Sequence, residues 1–186
     1  MHDYHDFLDE ILLDAPTIQK RIEELGAQIS QDYLGEELVL VCILRGGILF
    51  LTDLIRQISS PVNLEFMSVS SYGVGARQSS GQPRITLDVN SDIRNRHVLL
   101  VEDIVDSGHT IKAVCDFLST RQPKSLKVCT LLDKYERREV DVNVDYVGFQ
   151  IPNKFVFGYG LDIDEYYRNL PFIGTVDLDK YSATGV

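Results

Sequence analysis

Residues 98–110, Val-Leu-Leu-Val-Glu-Asp-Ile-Val-Asp-Ser-Gly-His-Thr, constrain the fold of this chain more than any other stretch. The aliphatic run 98–101 has the character of a strand buried on both faces, as in a parallel sheet. It ends in an adjacent acid pair, Glu102 and Asp103, followed by Asp106 and the turn Ser107-Gly108-His109-Thr110. An amphipathic run from Ile111 then reads as a helix. A glycine turn with hydroxyls at a helix start lets backbone N–H groups face a phosphate. Carboxylates repel phosphate, so the acid pair makes sense there only with a divalent cation between them. Mg²⁺ suits that place, because it takes one or two carboxylates together with substrate oxygens. The bland alternative is an ordinary strand-to-helix turn with Asp106 or Ser107 as its N-cap.

The remaining chain repeats the strand–helix alternation. Residues 1–14 are expected to form a short helix. After Pro16, the positions Ile18, Ile22, Leu25, Ile29 and Tyr33 fall on one helical face, and Gly35 offers a stop. Residues 38–43 read as a buried strand, Leu44-Arg45-Gly46-Gly47 as a turn, and 48–58 as a helix. Strands are expected over 64–70, 84–89, 126–132, 144–149 and 155–157, with a helix over 111–118 closed by Pro123. Residues 73–83, with three glycines, a proline and no acid, form the one clear loop. This alternation predicts an α/β fold with a mostly parallel sheet flanked by helices. Ligands in such sheets bind at the carboxyl ends of the strands, where the motifs here lie.

At 186 residues the chain suits one domain. No apolar stretch reaches membrane-spanning length, and the acidic N-terminus shows no signal or transit peptide, so a cytoplasmic location is expected. The formal net charge of −10 argues against nucleic acid as a partner. It leaves room for a small phosphate in a local site. Cys42, Cys115 and Cys129 are far apart, odd in number and set among apolar residues, which reads as reduced core thiols.

With these motifs in hand, the chain resembles the type I phosphoribosyltransferases, and within them the hypoxanthine-guanine phosphoribosyltransferases of the bacterial kind. Five segments in order carry the likeness: Val101 to Thr110, Leu44-Arg45-Gly46-Gly47, Ser70-Ser71-Tyr72-Gly73, Leu131-Leu132-Asp133-Lys134, and Lys154 to Asp162. The resemblance implies a single domain over 1–186, a small hood from about 1–20 and 150–186, and a lid at 71–83. It also implies Mg²⁺-dependent transfer of phosphoribosyl from phosphoribosyl pyrophosphate (PRPP) to N9 of hypoxanthine or guanine, with xanthine an open third base. Dimers and tetramers occur in the family.

The resemblance distributes roles over this sequence. Asp106 to Thr110, that is Asp106, Ser107, Gly108, His109 and Thr110, would wrap the 5′-phosphate, with Asp106 also the catalytic base toward the purine N7 proton. Glu102 and Asp103 would hold Mg²⁺ at the ribose hydroxyls, and Asp162 a second ion on pyrophosphate. Arg45, Gly46 and Arg168 would bind pyrophosphate, with a non-proline cis peptide at Leu44–Arg45. Lys134 would donate to the 6-oxo group, while Lys154, Phe155, Val156 and Asp162 would frame the base, Phe155 by stacking. Ser71 and Tyr72 would stand at the base of the lid. The chain departs from the common pattern at Ser107, Tyr135, Phe157 and Ile163, where threonine, proline, valine and tyrosine are usual. Phosphoribosyltransferase-fold regulators that bind nucleic acid are the competing class; the acidic balance and the Asp106–Lys134 pair of residues argue against it.

Overall fold

The structure, a computed structural model, describes residues 3–70 and 83–183. The expected lid, with Ser71 and Tyr72, therefore falls almost wholly outside the described residues.

Six strands form the main sheet in the order β4-β3-β2-β5-β6-β7: β2 Leu38–Leu44, β3 Val62–Ser70, β4 Arg84–Leu87, β5 His97–Val105, β6 Ser125–Asp133 and β7 Tyr146–Gln150. All neighbours are parallel except β3–β4, which is an antiparallel edge. The helices α1 Ala15–Asp32, α2 Ile48–Ile55 and α3 His109–Ser119 cover its faces. Alternation along β2 shows why the sequence runs apolar without a break. Leu38, Leu40 and Cys42 pack with Ile18, Ile22, Leu25 and Ile29 of α1 and with Phe50, Leu51 and Leu54 of α2. Val39, Val41 and Ile43 pack on the opposite face with Ile111, Val114 and Leu118 of α3.

A second sheet of three antiparallel strands draws on both ends of the chain: β1 Leu8–Leu13, β9 Ile173–Val176 and β8 Val156–Phe157, in the order β1-β9-β8. Phe7, Phe157 and Ile163 form its small core, with Tyr167 and Tyr181 edge-on to Phe7. A closing helix, α4, spans Leu178–Ala183.

The expected helix over 1–14 is corrected to a single 3₁₀ turn, Tyr4–Asp6, followed by β1. Leu8, Ile11 and Leu12 fit a helical period, yet the segment pairs with β9, whose Val176 lies opposite Leu8. Long-range pairing overrides local pattern here. β5 also runs further than the aliphatic stretch, to Val105, so Glu102 and Asp103 sit inside the strand's last turn of pleat rather than after it. Among the described residues no helix is long and apolar enough to cross a membrane.

Candidate active site

Four parallel strands deliver chemistry to the same edge of the sheet. The loop 45–47 follows β2, Ser70 closes β3, the acids Glu102, Asp103 and Asp106 close or follow β5, and Lys134 follows β6. The register sets them side by side: Cys42 pairs with Val101, and Val105 with Asp133.

The turn after β5 leaves the N-terminus of α3 without a side-chain cap. Gly108 is the N-cap of α3 with φ +90, and no side chain caps the helix, which sets aside the ordinary Asp106 or Ser107 N-cap. The uncapped first-turn N–H groups and the positive end of the helix dipole therefore remain available to an anion. A cleft of about 110 Å³ opens here, lined by Glu102, Asp106, Ser107, Gly108 and Thr110 against Ile104, Val105 and Ile111. The His109 ring sits outside that lining, with Nε2 3.1 Å from Glu139 Oε2.

Glu102 and Asp103 are each only 9% exposed. Burial, with the neighbouring Asp103 charge, pushes the Glu102 carboxyl well above the usual carboxylate range. Burial raises Asp103 as well, against hydrogen bonds from Glu102 and the Ile104 N–H that oppose it. Glu102 Oε2 has no hydrogen-bond partner. A buried carboxylate oxygen without a donor, beside a second buried carboxylate, is a donor set suited to a hard cation. Among the described residues no group of three or more His, Cys, Asp or Glu side chains converges on one point.

The loop after β2 approaches this pair through glycine. A Cβ on Gly46 would overlap Asp103 Oδ2 and stand 2.6 Å from its Cγ. A Cβ on Gly160, whose φ is +100, would overlap Gly46 O. The Leu44–Arg45 peptide is cis, as the resemblance implied. Over this loop folds the segment 158–170, in which Gly160 N donates to Arg168 O at 2.9 Å. Arg168 donates to Gly160 O at 2.8 Å and pairs with Asp162 Oδ1 at 2.7 Å. Glu165 links the two arginines, accepting from Arg45 at 2.6 Å and from Arg168 at 3.2 Å. Arg45, Gly46, Asp162 and Arg168 thus come together, and Asp162 Oδ2 also accepts the Glu165 N–H at 2.9 Å.

Asp106 and Lys134 meet across the β5–β6 strand ends, with Nζ 3.3 Å from Asp106 Oδ2. The Lys134 side chain is 9% exposed and that of Asp106 40%, so a cation fixed in the wall faces a partly exposed carboxylate. Phe155 is half exposed, Val156 is buried in β8, and the Lys154 ammonium is held by Glu10 at 2.6 Å and Asp9 at 3.4 Å. The Lys154 ion pairs therefore go to β1 rather than to the Asp106–Lys134 pair. Sequence reasoning missed four charged neighbours: Glu165, Arg137, whose Nε lies 3.1 Å from Asp106 Oδ1, and the buried pair Arg138–Asp133. The signal for the arginines was a basic doublet just after a strand end, facing an acid on the next strand.

A parallel α/β sheet with a glycine turn, a buried acid pair and an arginine-bearing loop at one edge has the layout of an enzyme for phosphorylated substrates. The phosphoribosyl transferase domain matches residues 9–164, and the chain belongs to that family. The chain is 48% identical over 174 residues to the hypoxanthine phosphoribosyltransferase of Haemophilus influenzae, covering 92% of this chain and 97% of that one. It is 50% identical over 184 residues to the hypoxanthine-guanine phosphoribosyltransferase of Mycobacterium avium, covering 96% and 90%. A crystal structure of a hypoxanthine phosphoribosyltransferase from Staphylococcus aureus matches it with a TM-score of 0.90 at 46% identity, covering 96% of each chain. Transfer of phosphoribosyl from PRPP to a base, with release of pyrophosphate, is the reaction of this family, and the chain is an enzyme of that class.

Proposed function

We propose that the chain makes IMP and GMP in purine salvage by joining C1 of PRPP to N9 of hypoxanthine or guanine. The observation that carries the choice of base is the Asp106–Lys134 pair at 3.3 Å. A carboxylate acceptor beside an ammonium donor complements the N7–H and 6-oxo groups along one edge of a 6-oxopurine. Adenine would present a second donor to Lys134.

In this reading the C1–N9 bond forms as the C1–O bond to pyrophosphate breaks, and the N7 proton passes to the Asp106 carboxylate. The turn 106–110 and the first N–H groups of α3 hold the 5′-phosphate. Arg45, the Gly46 backbone and Arg168 take the pyrophosphate, with Glu165 giving up its bridge between the arginines. Phe155 stacks on the base and Val156 reads its edge through the backbone, while Lys154 contributes its stem and backbone, since its ammonium is engaged by β1. Glu102 and Asp103 would hold Mg²⁺, with Asp162 available to a second ion. When bound, Mg²⁺ supplies charge neutralisation at the ribose hydroxyls and the leaving anion. Ser71, Tyr72 and the rest of the 71–83 segment would exclude water from the cationic ribose. We place the enzyme in the cytoplasm, without nucleic-acid or membrane partners, as a dimer or tetramer.

The test is a panel of hypoxanthine, guanine, xanthine and adenine with PRPP and Mg²⁺, repeated on Lys134→Met. A charge-assisted hydrogen bond contributes roughly 1.5–3 kcal/mol, so kcat/KM for hypoxanthine should fall about 10- to 150-fold. Turnover of adenine at rates near those of hypoxanthine would overturn the assignment of the base.

A further inference from the structure

Behind the phosphate turn lies a set of contacts that the chemistry above does not use. The Arg138 side chain is 12% exposed and the Asp133 side chain 5%, and the two form an ion pair. From that anchor at the end of β6, Arg138 Nη1 donates to the backbone carbonyl of Asp106 at 3.2 Å. The backbone beside it grips the next residue: Ser107 O accepts from Glu139 N at 3.0 Å and from Val140 N at 3.3 Å. Gly108 is packed against the same segment, since a Cβ there would meet Arg138 Cδ at 3.0 Å and Val140 O at 3.2 Å. His109 completes the set through Glu139. Four consecutive residues of the turn, 106–109, are thus held from the rear by 138–140.

We propose that Arg138, anchored by Asp133, is a positioning residue that fixes the phosphate turn and the Asp106 backbone, so that substrate meets a preformed 5′-phosphate seat. This rests on the reading of 106–110 as that seat. The geometry favours a fixed function over a generic salt bridge for three reasons. A guanidinium can serve a carboxylate and a carbonyl at once because its donors form a rigid fork, which an ammonium lacks. Its second partner is the carbonyl of Asp106, whose side chain meets Lys134 and is the proposed proton acceptor. The anchor also sits in a dry site, where burial raises the Asp133 carboxyl above its usual range and the Arg138 charge only partly offsets that shift. Seats built from backbone N–H groups lose affinity when displaced by an ångström, and a brace of this kind prevents that displacement.

Two variants test it. Arg138→Lys keeps a cation against Asp133 but cannot hold the Asp106 carbonyl in the same fork. Arg138→Met/Asp133→Asn removes the brace without leaving a buried lone charge, which protects folding. Each is measured with Mg²⁺ for the affinity of ribose 5-phosphate, the affinity of inorganic pyrophosphate, KM for PRPP and Tm. The expected result is a loss in ribose 5-phosphate affinity and a rise in KM for PRPP, about threefold or more for Arg138→Lys and tenfold or more for the double variant. Pyrophosphate affinity should stay within twofold, because Arg45 and Arg168 lie on other elements. Wild-type ribose 5-phosphate affinity in both variants would overturn the brace, and so would equal losses of both anions tracking a fall in Tm. If the unsubstituted protein binds pyrophosphate but no ribose 5-phosphate, the phosphate seat itself is wrong and the brace falls with it.

Discussion

Gly46→Ala is the substitution that separates a catalytic geometry from a folded one most sharply. It changes no charge and removes no hydrogen-bonding group. The new Cβ would stand 2.6 Å from Asp103 Cγ and overlap its Oδ2. Ordinary carbon–carbon contact is about 3.5–4.0 Å, so the carboxyl, the loop or both must shift by roughly 1 Å. Overpacking of that size costs about 1–3 kcal/mol. For a chain of this length, each kcal/mol moves Tm by roughly 2–4 °C, giving a fall of about 2–12 °C and a protein still folded at 25 °C. Misplacement by about 1 Å of groups that orient a reaction can cost on the order of 100-fold, and here both the acid pair and the loop 45–47, which we propose takes the pyrophosphate, would be displaced. Initial rates of IMP formation at 25 °C, with calorimetry on the same preparation, read the two effects apart. A kcat/KM within threefold of the unsubstituted enzyme would refute the argument that loop and acid pair must touch through glycine.

Two further outcomes follow from the surroundings of the site. Burial pushes the Cys42 thiol up to about 12 and that of Cys115 up to about 11, and raises Cys129 further. At pH 8 the thiolate fraction of Cys115 is therefore on the order of 10⁻³, and the native protein should react with a disulfide reagent far more slowly than the urea-unfolded chain. Rapid modification of any thiol in the native state would contradict the packing of the sheet. Lys154→Ala should leave KM for hypoxanthine within threefold, since its ammonium is engaged by Glu10 and Asp9; a tenfold rise in steady-state KM would place that ammonium in the base site.

Much of the site was legible in sequence because its parts are local. The stretch 98–110 carries strand, acids, turn and helix start in thirteen consecutive residues, and the register of a parallel sheet then aligns Lys134 with Asp106 without any long-range signal. What stayed hidden depends on distant pairing. β1 is short and half exposed, and its partner β9 follows some 160 residues later, so nothing within residues 1–14 distinguished strand from helix. The ion pairs of the Lys154 ammonium with Glu10 and Asp9 were hidden for the same reason, since both acids lie on β1. Arg138 was unreadable for a related reason. Its value comes from being buried between Asp133 and the Asp106 carbonyl, and a basic doublet in sequence ordinarily marks a solvated surface.

The most direct test of the whole account is the rate of IMP formation from PRPP and hypoxanthine with Mg²⁺, compared between the unsubstituted enzyme and Asp106→Asn. The substitution keeps the size of the side chain and removes its ability to take the N7 proton. The account predicts Mg²⁺-dependent product from the unsubstituted enzyme and a kcat lower by about 10²- to 10⁴-fold in the variant. An unchanged kcat in Asp106→Asn, or no product from the unsubstituted enzyme, would contradict it.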